Sequence, residues 1–197
     1  VEDSPKLDVG PGPPARLVLT LPSTARPGEA ARLTAAVLDP LGNAGVEYAG
    51  EIRLAAVDGS APVDHPPALV FAAADGGRLA VEVVPREAGV IRLRGTGPEG
   101  LEAESNPLQA SPGGARILWG DLHNHSNYSD GSGRPEELFR YARDVAALDV
   151  VSVTDQTGEA AQGAGTFVEG PGHGGFDRVA VAVPGRVVAL SVELPVG

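Results

Sequence analysis

From about residue 15 to residue 110 the chain repeats one pattern, a short apolar or alternating run closed by a Gly, Pro or Asp turn. The runs fall at 16–21, 31–38, 51–55, 68–71, 78–84, 90–95 and 101–104. Within Arg78-Leu79-Ala80-Val81-Glu82-Val83 and Val90-Ile91-Arg92-Leu93-Arg94 the side chains alternate, as in a strand with one buried and one wet face, which predicts antiparallel sheets. Turns are signalled at Arg26-Pro27-Gly28-Glu29, Asp39-Pro40-Leu41-Gly42-Asn43, Ala74-Asp75-Gly76-Gly77 and Gly97-Pro98-Glu99-Gly100. Short strands at this spacing predict an all-β sandwich over residues 15–110.

The sandwich is Ig-like in architecture only, since the Cys and Trp pattern of antibody domains is absent. Ahead of it, residues 1–14 carry four prolines and no apolar period, an extended, weakly ordered lead-in. The Pro/Gly/Ser-rich stretch from Ser105 to Arg116 ends the strand pattern, and residues 111–116 read as a linker. The grammar then changes. Arg116-Ile117-Leu118-Trp119 predicts a short strand and residues 134–148 a helix. Asp149-Val150-Val151-Ser152-Val153 follows, a strand of the nearly continuous apolar kind buried in parallel sheets. In the helix Pro135 suits the first turn, Glu136 and Glu137 its positive end, and Leu138, Tyr141, Ala142 and Val145 form one apolar stripe. Strand, helix, strand is a βαβ unit, so residues 117–197 read as a second, α/β domain. Residues 157–176 are Gly-rich without a helical pattern, and a further apolar strand is expected at 187–192, just before Glu193.

Composition narrows the partners. A net charge of −11 and a pI near 4.7 exclude a binder of the nucleic-acid backbone, which needs clustered Lys and Arg, and both halves of the chain are acidic. A cation such as a metal is easier to host. No apolar run approaches the roughly 20 residues of a membrane-spanning helix. The absence of Cys excludes disulfides, thiolate metal sites and a Cys nucleophile, and leaves the redox compartment open. With no initiating Met and no basic or apolar leader at Val1, the chain reads as a processed or truncated piece.

Chemistry concentrates in Trp119-Gly120-Asp121-Leu122-His123-Asn124-His125-Ser126, which holds two of the four histidines. Two apart in an extended chain, His123 and His125 point to one side, where they could grip one cation or two neighbouring ones, and Asp121 shares that face. An exposed loop pair is the plainer account of an HxH alone. Its context is richer, because Tyr128-Ser129-Asp130-Gly131, Pro135-Glu136-Glu137-Leu138 and Val151-Ser152-Val153-Thr154-Asp155 follow in order. His65 and His173 read as solvated loop residues, and Asp39, Asp58, Asp64 and Asp75 as solvated turn carboxylates. No Gly-x-Ser-x-Gly elbow, Walker loop or dinucleotide fingerprint is present.

The elements WGDLHNHS, SDG and VTD, within residues 119–155, resemble the opening of the polymerase and histidinol phosphatase (PHP) superfamily of metal-dependent phosphoesterases. Pro184-Gly185-Arg186-Val187-Val188-Ala189-Leu190 before Glu193 is similar to that family's third motif, a strand ending in a metal-binding Glu. A Ser-Asn-Pro step ahead of Trp-Gly-Asp-Leu-His also resembles a branch with an Ig-like domain in front. The resemblance implies a distorted barrel of about seven βα units, with chemistry at the C-terminal strand ends. It implies up to two or three divalent ions (Zn, Mn, Fe or Mg), with His123 and His125 as ligands, Asp130 a nearby carboxylate and Glu193 bridging ions. The implied activity is hydrolysis of a small-molecule phosphoester by a metal-activated water, with no protein nucleophile.

Where the family has Thr-Asp-His, with that His a ligand, this chain has Thr154-Asp155-Gln156. A neutral amide oxygen holds Zn²⁺ or Mn²⁺ less well than imidazole, so one metal position is expected to be weakened, and Asp121, Asp155 and Gln156 are secondary candidates. Only 82 residues follow Ala115, enough for about three strands. The barrel is therefore expected to be incomplete, and residues 1–197 alone to turn over little or nothing. An Ig-like module ahead of a hydrolase suggests an extracytoplasmic setting by association alone. The alternative from another class is a non-catalytic protein whose sandwich binds a glycan, peptide or partner domain, with the metal half a structural remnant.

Overall fold

Alternate burial shapes the first half of the chain. The computed structural model describes residues 10–113, 115–155, 165–168 and 178–181. Strands β1 (Arg16–Thr20), β2 (Thr24–Ala25), β3 (Ala31–Leu38), β4 (Gly50–Ala56), β5 (Val63–Asp64) and β6 (Ala68–Phe71) are followed by β7 (Arg78–Pro85), β8 (Gly89–Ile91), β9 (Leu93–Thr96), β10 (Glu102–Glu104) and β11 (Leu108–Ala110). They form two four-stranded antiparallel sheets, ordered β1-β3-β7-β5 and β10-β9-β4-β6, and a small sheet ordered β2-β11-β8. The sheets curl around one core that includes Leu19, Leu33, Val37, Ile52, Phe71 and Leu93.

All seven expected runs form strands, with one subdivided. The alternating 90–95 run changes sheets at Arg92: β8 pairs with β11, whereas β9 pairs with β4 and β10. At the switch, the Arg92 carbonyl accepts the Val57 N–H (3.0 Å) and the Ser60 hydroxyl (3.1 Å).

The stretch after Ser105 contributes more to the core than its composition suggests. Leu108 and Ala110 of β11 are fully buried, and the Ser105 hydroxyl accepts the Leu93 N–H at 3.0 Å. The Asn106 side chain accepts the Leu21 N–H (2.8 Å) and donates to the Leu21 carbonyl (2.7 Å), as a neighbouring strand would. Three residues are too few to display a period, which is why the sequence hides β11.

Asp39, expected to be a solvated turn carboxylate, is instead 3% exposed. Its Oδ1 accepts the Leu41 and Asn43 N–H groups (2.9 and 2.8 Å), and its Oδ2 accepts the Asn43 side-chain amide (2.8 Å) and the Gly12 N–H (3.0 Å). The carboxylate thus closes the 39–43 turn and ties down the end of the lead-in. The Asn43 side chain, followed by the Gly12 amide, lowers its pKa to about 2.

The second half contains β12 (Gly120–Asp121), helix α1 (Pro135–Asp144), β13 (Val150–Ser152), β14 (Gly165–Val168) and β15 (Arg178–Val181). β12 pairs parallel with β13 across α1, forming the βαβ unit. The next pairings, β13 with β14 and β14 with β15, are antiparallel, so the sheet departs from the all-parallel order of a βα barrel. The described chain is thus a mixed α/β fold of curled, open, mainly antiparallel sheets with one α-helix. The expected strand at 187–192, Gln156, His173 and Glu193 lie outside the described residues.

Two local expectations shift. Residues 116–119 do not form a buried strand: Ile117, Leu118 and Trp119 are 51%, 44% and 60% exposed, and pairing begins where the Trp119 carbonyl accepts the Asp149 and Val150 N–H groups. The helix ends at Asp144, and Ala147 beyond it adopts φ +53°. Its buried face is Phe139 and Ala142 against Val151 and Val153, with Leu138 alongside, while Tyr141 lies off that face and is about half exposed. Glu137 caps the start by accepting the Arg134 N–H at 2.9 Å.

Just past α1, Val145 packs on Ala36 and Leu38 of β3, and Asp144 pairs with Arg32 of the same strand at 3.4 Å. β3 is therefore covered on both faces, which explains the unbroken apolar run Ala35-Ala36-Val37-Leu38. Among the described residues, no helix is long and apolar enough to cross a membrane.

Leu33 is fully buried, so Leu33→Ala is expected to cost about 2–5 kcal/mol by urea unfolding, whereas Val70→Ala, at a site 69% exposed, should stay within about 0.5 kcal/mol. Asp39 is held below its ordinary range, so its contribution is complete above about pH 4 and is lost as pH falls toward 2. The difference in melting temperature between wild type and Asp39→Ala should therefore be constant near neutrality and shrink below pH 4.

Candidate metal centre

The parallel pairing of Gly120 with Val150 and Asp121 with Val151 sets the ends of β12 and β13 side by side. Residues 122–134 leave β12 as a loop, and Thr154 and Asp155 leave β13 beside it. The Thr154 N–H donates to the Asn124 carbonyl (2.7 Å), and the Asn124 side chain donates to the Ser152 carbonyl (3.2 Å). Glycine at 120 keeps this approach uncrowded, since a Cβ there would lie 3.1 Å from the Val150 carbonyl oxygen and from its Cβ.

His123 and His125 come together as expected, with ring centroids 4.8 Å apart in an edge-to-face arrangement. His123 Nδ1 lies 3.2 Å from the Thr154 hydroxyl, which also reaches the Asn124 carbonyl at 3.3 Å. His125 Nδ1 lies 2.5 Å from Asp130 Oδ1, and this hydrogen bond draws the Asp130 carboxyl below its usual range. His125 Nε2 is buried and has no hydrogen-bond partner. A ring whose Nδ1–H donates to a carboxylate presents Nε2 as a lone-pair donor, the arrangement that fixes a metal-binding tautomer. An orphaned buried imidazole nitrogen beside a second imidazole fits a divalent cation.

The carboxylates take different places. Asp121 is exposed, and its Oδ1 accepts the His123 N–H at 3.2 Å. Asp130 stands behind His125. Asp155 turns toward the loop, accepting the Ser126 N–H (2.6 Å), the Ser126 hydroxyl (2.5 Å) and the Ser129 hydroxyl (2.6 Å). Burial pushes its carboxyl up, but the bonds from Ser126 and Ser129 outweigh this and hold it below its usual range. Among the described residues, no three His, Asp or Glu side chains converge as a complete metal site.

Ser126 and Ser129 were legible as letters of the HNHS and SDG elements but carried no assigned role. Ser126 is 1% exposed, and its carbonyl accepts the Ser129 and Gly131 N–H groups at 3.1 and 3.0 Å. The loop winds so tightly here that a Cβ at Gly131 would lie 2.2 Å from the His125 carbonyl oxygen.

No protein-family model matches the chain, and no curated protein is significantly similar to it.

Gly131→Ala is expected to push the loop off His125. Amide hydrogen exchange at Asn127 and Ser129 should rise by about tenfold or more, with β3 amides unchanged. Unaltered exchange in the loop would show that the crowding is absorbed.

Proposed function

We propose that the chain is an Ig-like sandwich followed by the first part of a PHP-type metal-dependent hydrolase domain, a phosphoesterase in class and truncated or degenerate in form. The observation that carries this is the imidazole pair, His125 with a buried, unpartnered Nε2 and Asp130 behind its Nδ1, His123 4.8 Å away. In this reading His123 and His125 hold a divalent ion, and Asp130 and the Thr154 hydroxyl orient the two rings. Gln156 and Glu193 are proposed as further oxygen donors from the rest of the chain. When bound, the ion polarises a phosphoryl oxygen and acidifies a water at neutral pH. The acidity of the chain suits a cationic cofactor.

The test is metal content per chain by elemental mass spectrometry, after purification without chelators. Wild type is expected to carry about one ion or more, and His123→Ala/His125→Ala to lose it. No metal in either would overturn the proposal and turn attention to what the sandwich binds.

A further inference from the structure

We propose that Asp155 is the positioning residue of the metal centre: through Ser126 and Ser129 it sets the spatial relation between His125 and Asp130. The inference rests on the proposed metal binding at His123 and His125 and adds to it a residue that holds the site without being a ligand.

The residues flanking the two bonded serines carry the argument. Ser126 follows His125 directly, and Ser129 precedes Asp130 directly. Asp155, arriving from the end of β13, accepts hydrogen bonds from both serines, three in all at 2.5–2.6 Å. It therefore fixes the two ends of the segment whose neighbours form the His125–Asp130 bond. The remaining bonds around Ser126 stay within the loop: its carbonyl accepts from Ser129 and Gly131, and its hydroxyl accepts the Tyr128 N–H at 3.2 Å. Those local bonds give the loop its turn. Asp155 ties that turn to β13, beside the Thr154 hydroxyl that faces His123.

The chemistry of the carboxylate points the same way. An oxygen that accepts two short hydrogen bonds, as Oδ1 does from the Ser126 N–H and the Ser129 hydroxyl, is a poor ligand, because a cation would compete with both donors. Asparagine at this position keeps the shape but not the charge: its Oδ1 is a weaker acceptor for the Ser126 N–H and the Ser129 hydroxyl, and its amide nitrogen is matched only if the Ser126 hydroxyl turns from donor to acceptor. Serine at 129 supplies only a hydroxyl, so threonine could take its place.

The experiment measures Zn²⁺ affinity by competition with a chromophoric chelator, and the visible absorption of the Co²⁺-loaded protein, for wild type, Asp155→Asn, Ser129→Ala and Ser129→Thr. Far-UV circular dichroism of each variant monitors the fold. Asp155→Asn is expected to weaken Zn²⁺ binding by about 10- to 100-fold and to alter the Co²⁺ spectrum. Ser129→Ala, which removes one of the three bonds to Asp155 together with the 3.4 Å contact between the Ser129 hydroxyl and Asp130 Oδ1, should do so to a smaller extent, and Ser129→Thr should restore both readings. Wild-type affinity and spectrum in Ser129→Ala and in folded Asp155→Asn would overturn the positioning role and leave the metal proposal standing. Failure of wild type itself to bind Zn²⁺ or Co²⁺ would overturn both.

Discussion

The parallel pairing of β12 with β13 is the constraint on which the candidate site depends. Two strand ends that run the same way must be joined by a crossover, and here α1 supplies it. That pairing brings His123 against Thr154, and Ser126 against Asp155, across 29 to 31 residues of sequence. A hairpin would have placed the end of one strand beside the start of the other. The imidazoles and the carboxylate that organises their loop would then have been on opposite ends of the sheet.

The crossover is also where the two halves of the chain meet. Strand β3 directs Leu33, Ala35 and Val37 into the sandwich core and turns Arg32, Ala36 and Leu38 toward the helix, where Asp144 and Val145 wait. On that second face the small Ala36 leaves room for Val145 to pack, while Arg32 meets Asp144. Two further ties come from the segment leading into β12: the Ile117 N–H donates to the Thr24 hydroxyl (3.0 Å), and the Trp119 indole donates to the Ser23 hydroxyl (2.7 Å). The first half thus contacts the βαβ unit at the segment before β12 and at the end of α1.

What the sequence disclosed follows from which forces act locally. Period-2 alternation in β7 and in β8–β9 reports a single buried face, and those strands were legible nearly to the residue. The double burial of β3 was visible only as an apolar run, because its second partner is a helix more than 100 residues away. β11 and the Asn106 bridge to Leu21 leave no periodic trace, and the exposed Ile117-Leu118-Trp119 imitates a buried strand. The helix begins where expected but ends at Asp144 instead of running to 148, and its face is rotated, with Phe139 inside and Tyr141 outside, since a stripe of three or four apolar residues fits more than one angle. At the site, the histidine pair was legible from spacing, whereas the roles of Ser126 and Ser129 depend on a carboxylate 26 to 29 residues away.

One device recurs in both halves. Asp39 is buried and Asp155 half-buried, and each collects several hydrogen bonds that include a segment distant in sequence: Asp39 from Gly12 as well as its own 41–43 turn, Asp155 from Ser126 and Ser129. A buried carboxylate is tolerable only when donors converge on it, and their convergence in turn fixes the loops that supply them. In both cases the bonds hold the carboxyl below its ordinary range, so the ties persist well below neutral pH. The two differ in what they anchor. Asp39 closes a turn at the edge of the sandwich, whereas Asp155 holds a loop whose flanking residues are an imidazole and the carboxylate that orients it. In the proposed site not every nearby carboxylate is therefore needed as a ligand: Asp130 bonds the imidazole of His125, Asp155 bonds the loop, and His125 Nε2 is buried without a hydrogen-bond partner.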